Sequence, residues 1–491
     1  MRKWWPLVAV CLGAFMLLVD VTIVTVALPA MAKSLDASFT ALQWVLDIYA
    51  LALAALLLGA GSLADLFGAR RVYVAGLVLF AASSLACGLA PNAATLIAAR
   101  GAQGVGGAAM FTTTLALLNS TYQGRDRGVA FGVWGAVNGL AAAGGPILGG
   151  LLTQHVNWRS IFLVNLPVTV IAIALTLAVV GESRRTSGAR IDLAGMASFT
   201  ACAGTLTYGL IRAGDDGFTA AVPLTMFGLA AVALAVFVVV EKRARDPLLD
   251  LGLFRNRSFV AVLIGGALLM ASAFACLAFT SLWLQGVLGL GPVRAGAALI
   301  PLAGASFVVS AVAGRFLHGA SPRLTIGIGL LLIGAGSGLQ AVLDAGSSST
   351  AIIPGLIVGG VGVGTSIPVL SAAAMSAVPP QRGGMAGGAL NTFRQLGYAL
   401  GVAVLGIVFR GRIEHVLTGH VADPHAMAGA ASGGQAPHLP IIRAAVASGL
   451  NEVYAVSAGL GIAAGIIVLA LFRTQGRTAV RPAPDREKAT A

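Results

Sequence analysis

Charge is what this sequence has least of. Only 10% of its 491 residues are charged, against roughly 25% in an ordinary water-soluble chain. So few charges cannot clothe a chain of this length in a water-facing surface, which excludes a soluble enzyme or binding domain. Cysteine is scarce as well. Cys11, Cys87, Cys202 and Cys276 each lie inside an apolar run and are not paired at ligand spacing, so they read as small buried hydrophobes and not as metal ligands or a disulfide framework. The histidines, at 155, 318, 415, 420, 425 and 438, fall between the apolar runs. No nucleophile or metal-ligand spacing accompanies them, so neither a metal nor a cofactor is expected and the chain does not read as an enzyme. The net charge of +13 forms no basic stripe with interleaved aromatics, which argues against nucleic acid as a partner.

What the chain has in quantity is long apolar runs. Hydrophobic residues make up 57% of it, and mean hydropathy is +0.90. Residues 131–152 and 259–284 contain no charge at all. About twenty such residues span a hydrocarbon core, so the bilayer is the expected solvent. Runs long enough to cross it lie at about 5–30, 44–64, 72–90, 94–119, 128–152, 160–181, 192–212, 219–240, 258–284, 294–317, 323–343, 350–373, 389–409 and 450–472. No alternating strand pattern appears, and an open sheet cannot cross lipid, so about fourteen helices of an all-α membrane protein are expected. The first run follows Arg2 and Lys3 and ends near Ala30-Met31-Ala32, as a secretory leader does. It exceeds the usual 7–15 residues of a leader core and carries Asp20, so it reads as a retained first helix.

Loop charges orient the bundle. With both termini inside, the inner loops collect Arg70, Arg71, Arg125, Arg127, Arg184, Arg185, Lys242, Arg243, Arg382 and the basic tail. The outer side holds fewer, among them Lys33, Arg159 and Arg443. That asymmetry predicts cytoplasmic termini. The longest break, 410–449, then lies outside, as a short hairpin or a plain connector. Gly61–Gly76 aligns without gaps on Gly314–Gly329, matching Gly61 to Gly314, Arg70 to Arg323 and Gly76 to Gly329. Duplicated halves frame a midplane site in transporters. The chain therefore divides into a six-helix bundle (1–185), an inserted helix pair (186–245), a second six-helix bundle (246–475) and a tail (476–491).

Four ionisable residues fall within apolar runs: Asp20, Asp47, Arg100 and Arg394. Such groups are expensive in a bilayer and face a polar cavity or a partner. At 1.5 Å per residue, Asp20 lies roughly 13 Å and Arg100 roughly 12 Å from the outer end of their helices, so a shared site is geometrically open. A carboxylate there takes up and gives back a proton when its burial or its partners change; the alternative is a structural acid. Arg100 is its modulator or a fixed counter-charge. Asp47, roughly 6 Å deep, receives cations or is merely interfacial. Arg394 reads as a residue near the inner end of its run, reaching the interface along its apolar stem.

Gly104, Gly106 and Gly107 superficially resemble a dinucleotide loop, but no strand precedes them. Glycine at helical spacing lets helices approach closely, and the fifth run does this with Gly139, Gly144, Gly145, Pro146, Gly149 and Gly150.

In these residues the chain resembles the major facilitator superfamily, and within it the fourteen-helix drug:proton antiporter branch. Leu18-Val19-Asp20-Val21-Thr22 through Pro29 is similar to that branch's first-helix motif, and Gln43-Trp44-Val45-Leu46-Asp47-Ile48-Tyr49 to the start of its second helix. Gly61, Asp65, Gly68, Arg70 and Arg71 resemble the superfamily's loop signature, with Leu66 and Ala69 where basic residues are usual. Arg100 with Gln103-Gly104 resembles the fourth-helix motif. Gly139, Gly145, Pro146, Gly149 and Gly150 resemble the antiporter motif of the fifth, and Asn157-Trp158-Arg159 through Asn165-Leu166-Pro167 the start of the sixth.

The resemblance implies alternating access in a bacterial cytoplasmic membrane, with lipophilic compounds moving out as protons move in. The expected partners are a small-molecule substrate, protons and lipid, and the expected state is a monomer, although the sequence itself does not encode it. Proton coupling falls to Asp20 and Arg100, a substrate cavity to Asp47, Thr22, Trp44, Tyr49 and Gln103, and conformational roles to the loop-signature and fifth-helix residues. The ninth to thirteenth runs carry no acid, which favours neutral or monocationic substrates over dications. The competing readings are an importer or lipid flippase and, in another class, a membrane-embedded enzyme.

Overall fold

The computed structural model describes residues 2–37, 39–182, 192–245, 247–316, 321–379, 382–424, 427–428 and 440–473. Among these there is no strand. The α-helices are α1 (Trp5–Leu35), α2 (Phe39–Phe67), α3 (Ala69–Gly88), α4 (Ala93–Thr121), α5 (Gly124–His155), α6 (Ser160–Leu163), α7 (Asn165–Val179), α8 (Leu193–Asp216) and α9 (Ala221–Arg243). They continue as α10 (Arg257–Leu269), α11 (Ala275–Leu282), α12 (Pro292–Ala298), α13 (Ile300–Phe316), α14 (Pro322–Gln340), α15 (Ile353–Ser376), α16 (Gly383–Leu417) and α17 (Pro440–Leu471).

The segments outnumber the apolar runs because several runs are broken. The sixth divides at Val164 and the tenth at Leu299, and the ninth passes through π-helical turns at Met270–Phe274 and Trp283–Val287. Such turns insert one residue into the helical ladder. Ten stretches among the described residues are long and apolar enough to cross a membrane. Large side chains such as Leu79, Val170, Leu224, Val232 and Ile466 stand exposed on their outer surfaces. In water that surface would aggregate; in lipid it is the solvated face.

Local chemistry sets the helix ends. The Asn92 side chain accepts from Thr95 N–H at 2.9 Å, and Asp192 from Gly195 N–H at 2.7 Å, the usual satisfaction of free donors at a helix start. Gly68 joins α2 to α3 with φ +98°, a conformation closed to most side chains.

Both ends of the described chain lie on one face. Lys3 pairs with Asp126 at the start of α5, and Ser258 at the start of α10 bonds Arg473. On this Lys3 face one apolar core is continuous across both halves, from Leu7 and Leu58 through Trp134 to Phe259, Leu370 and Met385. On the opposite face there are two separate cores. One holds Val19, Ile23, Leu96, Trp158 and Phe162; the other holds Trp283, Leu302, Phe409, Ile413 and Tyr454. α8 and α9 pack together, and α8 also lies against α2 and α16.

Candidate functional site

Asp20 sits on α1, fully buried, with its carboxylate at the meeting point of α1, α3, α4 and α7. Arg100 Nη1 donates to Asp20 Oδ2 at 2.6 Å. Gln103 Nε2 and Asn165 Nδ2 donate to Oδ1 at 2.9 and 3.0 Å. The same two amides also donate to the hydroxyl oxygen of Ser84, at 2.7 and 3.1 Å. Arg100 itself is 1% exposed. Its Nε donates to the Val45 carbonyl at 3.1 Å and its Nη1 to Gln103 Oε1 at 2.8 Å. Its guanidinium carbon stands 4.2 Å from the Tyr49 ring centroid and 5.9 Å from that of Phe162.

The helices explain the convergence. Arg100 and Gln103 are three apart and therefore share a face of α4. Asn165 opens α7 directly after the break at Val164, which brings a polar side chain from a helix start into an apolar bundle. A buried carboxylate with three donors, one of them charged, is satisfied in its ionised form. The knot joins α1 to α3, α4 and α7 through side chains alone, so any movement of these helices against one another must rearrange it.

The expected cavity residues divide. Gln103 and Tyr49 belong to the knot. Asp47 is half-buried on α2, two residues before Tyr49. Trp44 stacks on Tyr208 of α8, with ring centroids 5.7 Å apart. The Thr22 hydroxyl donates within α1, at 3.2 Å to the Leu18 and Val19 carbonyls. Ser84 and Asn165 are participants that the sequence reading did not assign to the site.

A second constellation closes the Lys3 face. Asp65, near the end of α2, accepts from the backbone N–H of Gly384 at 2.7 Å and of Met385 at 2.9 Å. These are free donors of the first turn of α16, where a negative charge is favoured. Gly61 and Gly384 touch through their backbones, and a Cβ at either would meet a carbonyl. Glu182, just past α7, holds the Gly68 turn: it pairs with Arg71 at 3.5 Å and accepts from Arg70 N–H at 3.2 Å, while Arg70 Nη2 reaches the Leu177 carbonyl at 2.7 Å. In α5, Gly145 and Gly149 lie against Thr22 and Ile23 of α1, Gly139 against Ala303 and Ser306 of α13, and Gly150 against Val293 of α12. The side chain of Pro146 lies outside the described residues; of the loop expected at 410–449, residues 410–417 instead continue α16 and 440–449 open α17, and 425–426 and 429–439 lie outside the described residues.

Arg394 departs from the sequence expectation. α16 begins at Gly383, not near residue 389, so Arg394 stands roughly 16 Å along the helix. It is 4% exposed and does not reach an interface.

A family model described as the Major Facilitator Superfamily matches residues 10–402. Among curated proteins, the chain is 37% identical to the multidrug resistance protein Stp of Mycobacterium tuberculosis, over 85% of this chain and 79% of that one. It is 35% identical to the tetracenomycin C resistance and export protein of Streptomyces glaucescens, over 84% of this chain and 77% of that one. Among solved structures, the human organic anion transporter MFSD10 superposes with a TM-score of 0.65 at 16% identity, covering 95% of this chain and 99% of that one.

Proposed function

Since this chain belongs to the major facilitator superfamily, and is thus a multi-pass membrane transporter and not an enzyme, we propose that it is a proton-coupled exporter of small lipophilic compounds, neutral or singly cationic, working by alternating access. Residues 1–185 and 246–475 form the two moving six-helix bundles, and 186–245 is an inserted pair at their side, making fourteen crossings. Both termini are cytoplasmic, so the Lys3 face is the inner one and the membrane is the bacterial cytoplasmic membrane. The protein acts as a monomer.

One observation carries the reading: a carboxylate buried in the first bundle and held by Arg100, Gln103 and Asn165. When the outer half opens to water, the knot loosens and Asp20 is protonated. When the inner face opens, the guanidinium returns and the proton leaves inward. The shared core and the Asp65–α16 latch on the Lys3 face, together with the intact knot around the fully buried Asp20, suit a state closed inward before water from the outer half has reached the carboxylate. Relatives named for multidrug resistance and for export support drug-like substrates and outward direction. Proteoliposomes with an acidic lumen test the coupling: the purified protein should concentrate ethidium inside against its gradient. Equilibration without accumulation would leave a facilitator and remove the antiport.

A further inference from the structure

Arg394 takes no part in the coupling knot, yet it too is an arginine buried at membrane depth. Its Nη2 donates to Ser371 Oγ at 3.3 Å, and its Nε has no partner. Asn391, one turn earlier on the same face of α16, is fully buried with both its amide nitrogen and its amide oxygen unpartnered. The stem of Arg394 and the side chain of Leu390 lie against Gly266 of α10, so the α10 side of the site is apolar.

Among the described residues no carboxylate pairs with Arg394. Between Arg257 and Arg412 the sequence has a single acid, Asp344, which sits in an exposed turn bonded to Ser347. On the Lys3 face, Asp250 pairs with Arg382 and Asp65 with the start of α16. An isolated guanidinium at this depth is strongly disfavoured and marks a pathway or a ligand. The polar donors beside it remain unsatisfied, and unmet buried donors are themselves costly.

We propose that Arg394 and Asn391 receive an anionic group carried on an apolar body, so that the compounds handled by this chain include organic acids as well as neutral and cationic ones. The headgroup of an anionic lipid has the same chemistry. The ligand's charge completes in the second half what Asp20 completes in the first. The proposal rests on the transport reading for the purpose of the site, but binding is measured without transport, so either can fail alone.

The test uses full-length protein in phosphatidylcholine nanodiscs and compares naphthoate with its neutral amide, naphthamide. The acid should bind at least about tenfold more tightly than the amide. Arg394→Gln should erase that preference, and Arg394→Lys should keep part of it. The apo Arg394→Gln protein should melt no lower than the parent, since no ion pair is lost. A parallel arm adds phosphatidylglycerol and reads retained lipid by native mass spectrometry. Retention that depends on Arg394, without a naphthoate preference, assigns the anionic group to lipid. A lower melting temperature in Arg394→Gln with the naphthoate preference intact would make the residue structural. Equal binding of acid and amide by the parent, with no Arg394-dependent lipid, would also overturn the proposal.

Discussion

Arg100 and Arg394 are both arginines buried at membrane depth, one in each half of the molecule, and their surroundings differ. Arg100 has an acid at 2.6 Å, a backbone carbonyl, an amide oxygen and an aromatic face. Arg394 has one long bond to a hydroxyl and an unpartnered Nε. Two buried cations are thus held in opposite ways. The first has its counter-charge built in. The second lacks one, and its counter-charge arrives from outside. Among the described residues, the first arginine has a carboxylate within hydrogen-bond reach and the second has only a hydroxyl.

Neutralising each arginine should break the comparison most visibly. Arg100→Gln leaves Asp20 buried without its charged partner, and removing one member of a buried pair costs on the order of 3–5 kcal/mol. Thermal unfolding in detergent should record a large fall for this variant and none for Arg394→Gln. Equal falls in both would mean that the two sites are structurally alike. Next in size is Asn165→Ala, which deletes the amide donor shared by Asp20 and Ser84, about 1.5–3 kcal/mol. It should lower both melting temperature and ethidium accumulation without abolishing either. Placing an acid opposite the second arginine sharpens the contrast: Ser371→Asp should pair with Arg394 and cut the naphthoate preference by about tenfold or more. The smallest effect belongs to Tyr49. Tyr49→Leu removes the ring beneath Arg100, about 0.5–2 kcal/mol. Tyr49→Phe keeps the ring and loses only a hydroxyl that has no bonding partner, so its stability should be unchanged.

Much of this was legible in the residues, for identifiable reasons. Burial in lipid imposes length and apolarity on every crossing, so the runs stand out and helical rise alone places Asp20 and Arg100 at a common depth. Their 2.6 Å contact agrees with that arithmetic. Rotation about a helix axis is what composition does not encode. Ser84 is one of several hydroxyl residues in its region, and Asn165 reads as the start of a run; only packing turns both toward Asp20. The Trp44 stack depends on where the inserted pair docks, which no local pattern states. Arg394 was misplaced because Gly383, Gly384, Gly387 and Gly388 look like loop. In the fold they are the glycine face by which α16 meets α2 and α4, so the helix starts earlier and carries Arg394 inward.

The central claim, that Asp20 exchanges the transported proton, has a direct measurement that requires no membrane gradient. Purified protein in a weakly buffered solution is mixed with ethidium, and a pH indicator records the protons released on binding. Starting from the loosened, proton-carrying state, the parent should release protons as ethidium binds, and Asp20→Asn, which has no titrating group at that position, should bind ethidium and release none. Undiminished release from Asp20→Asn would contradict the claim and move the proton to another carboxylate, with Asp47 the first to examine.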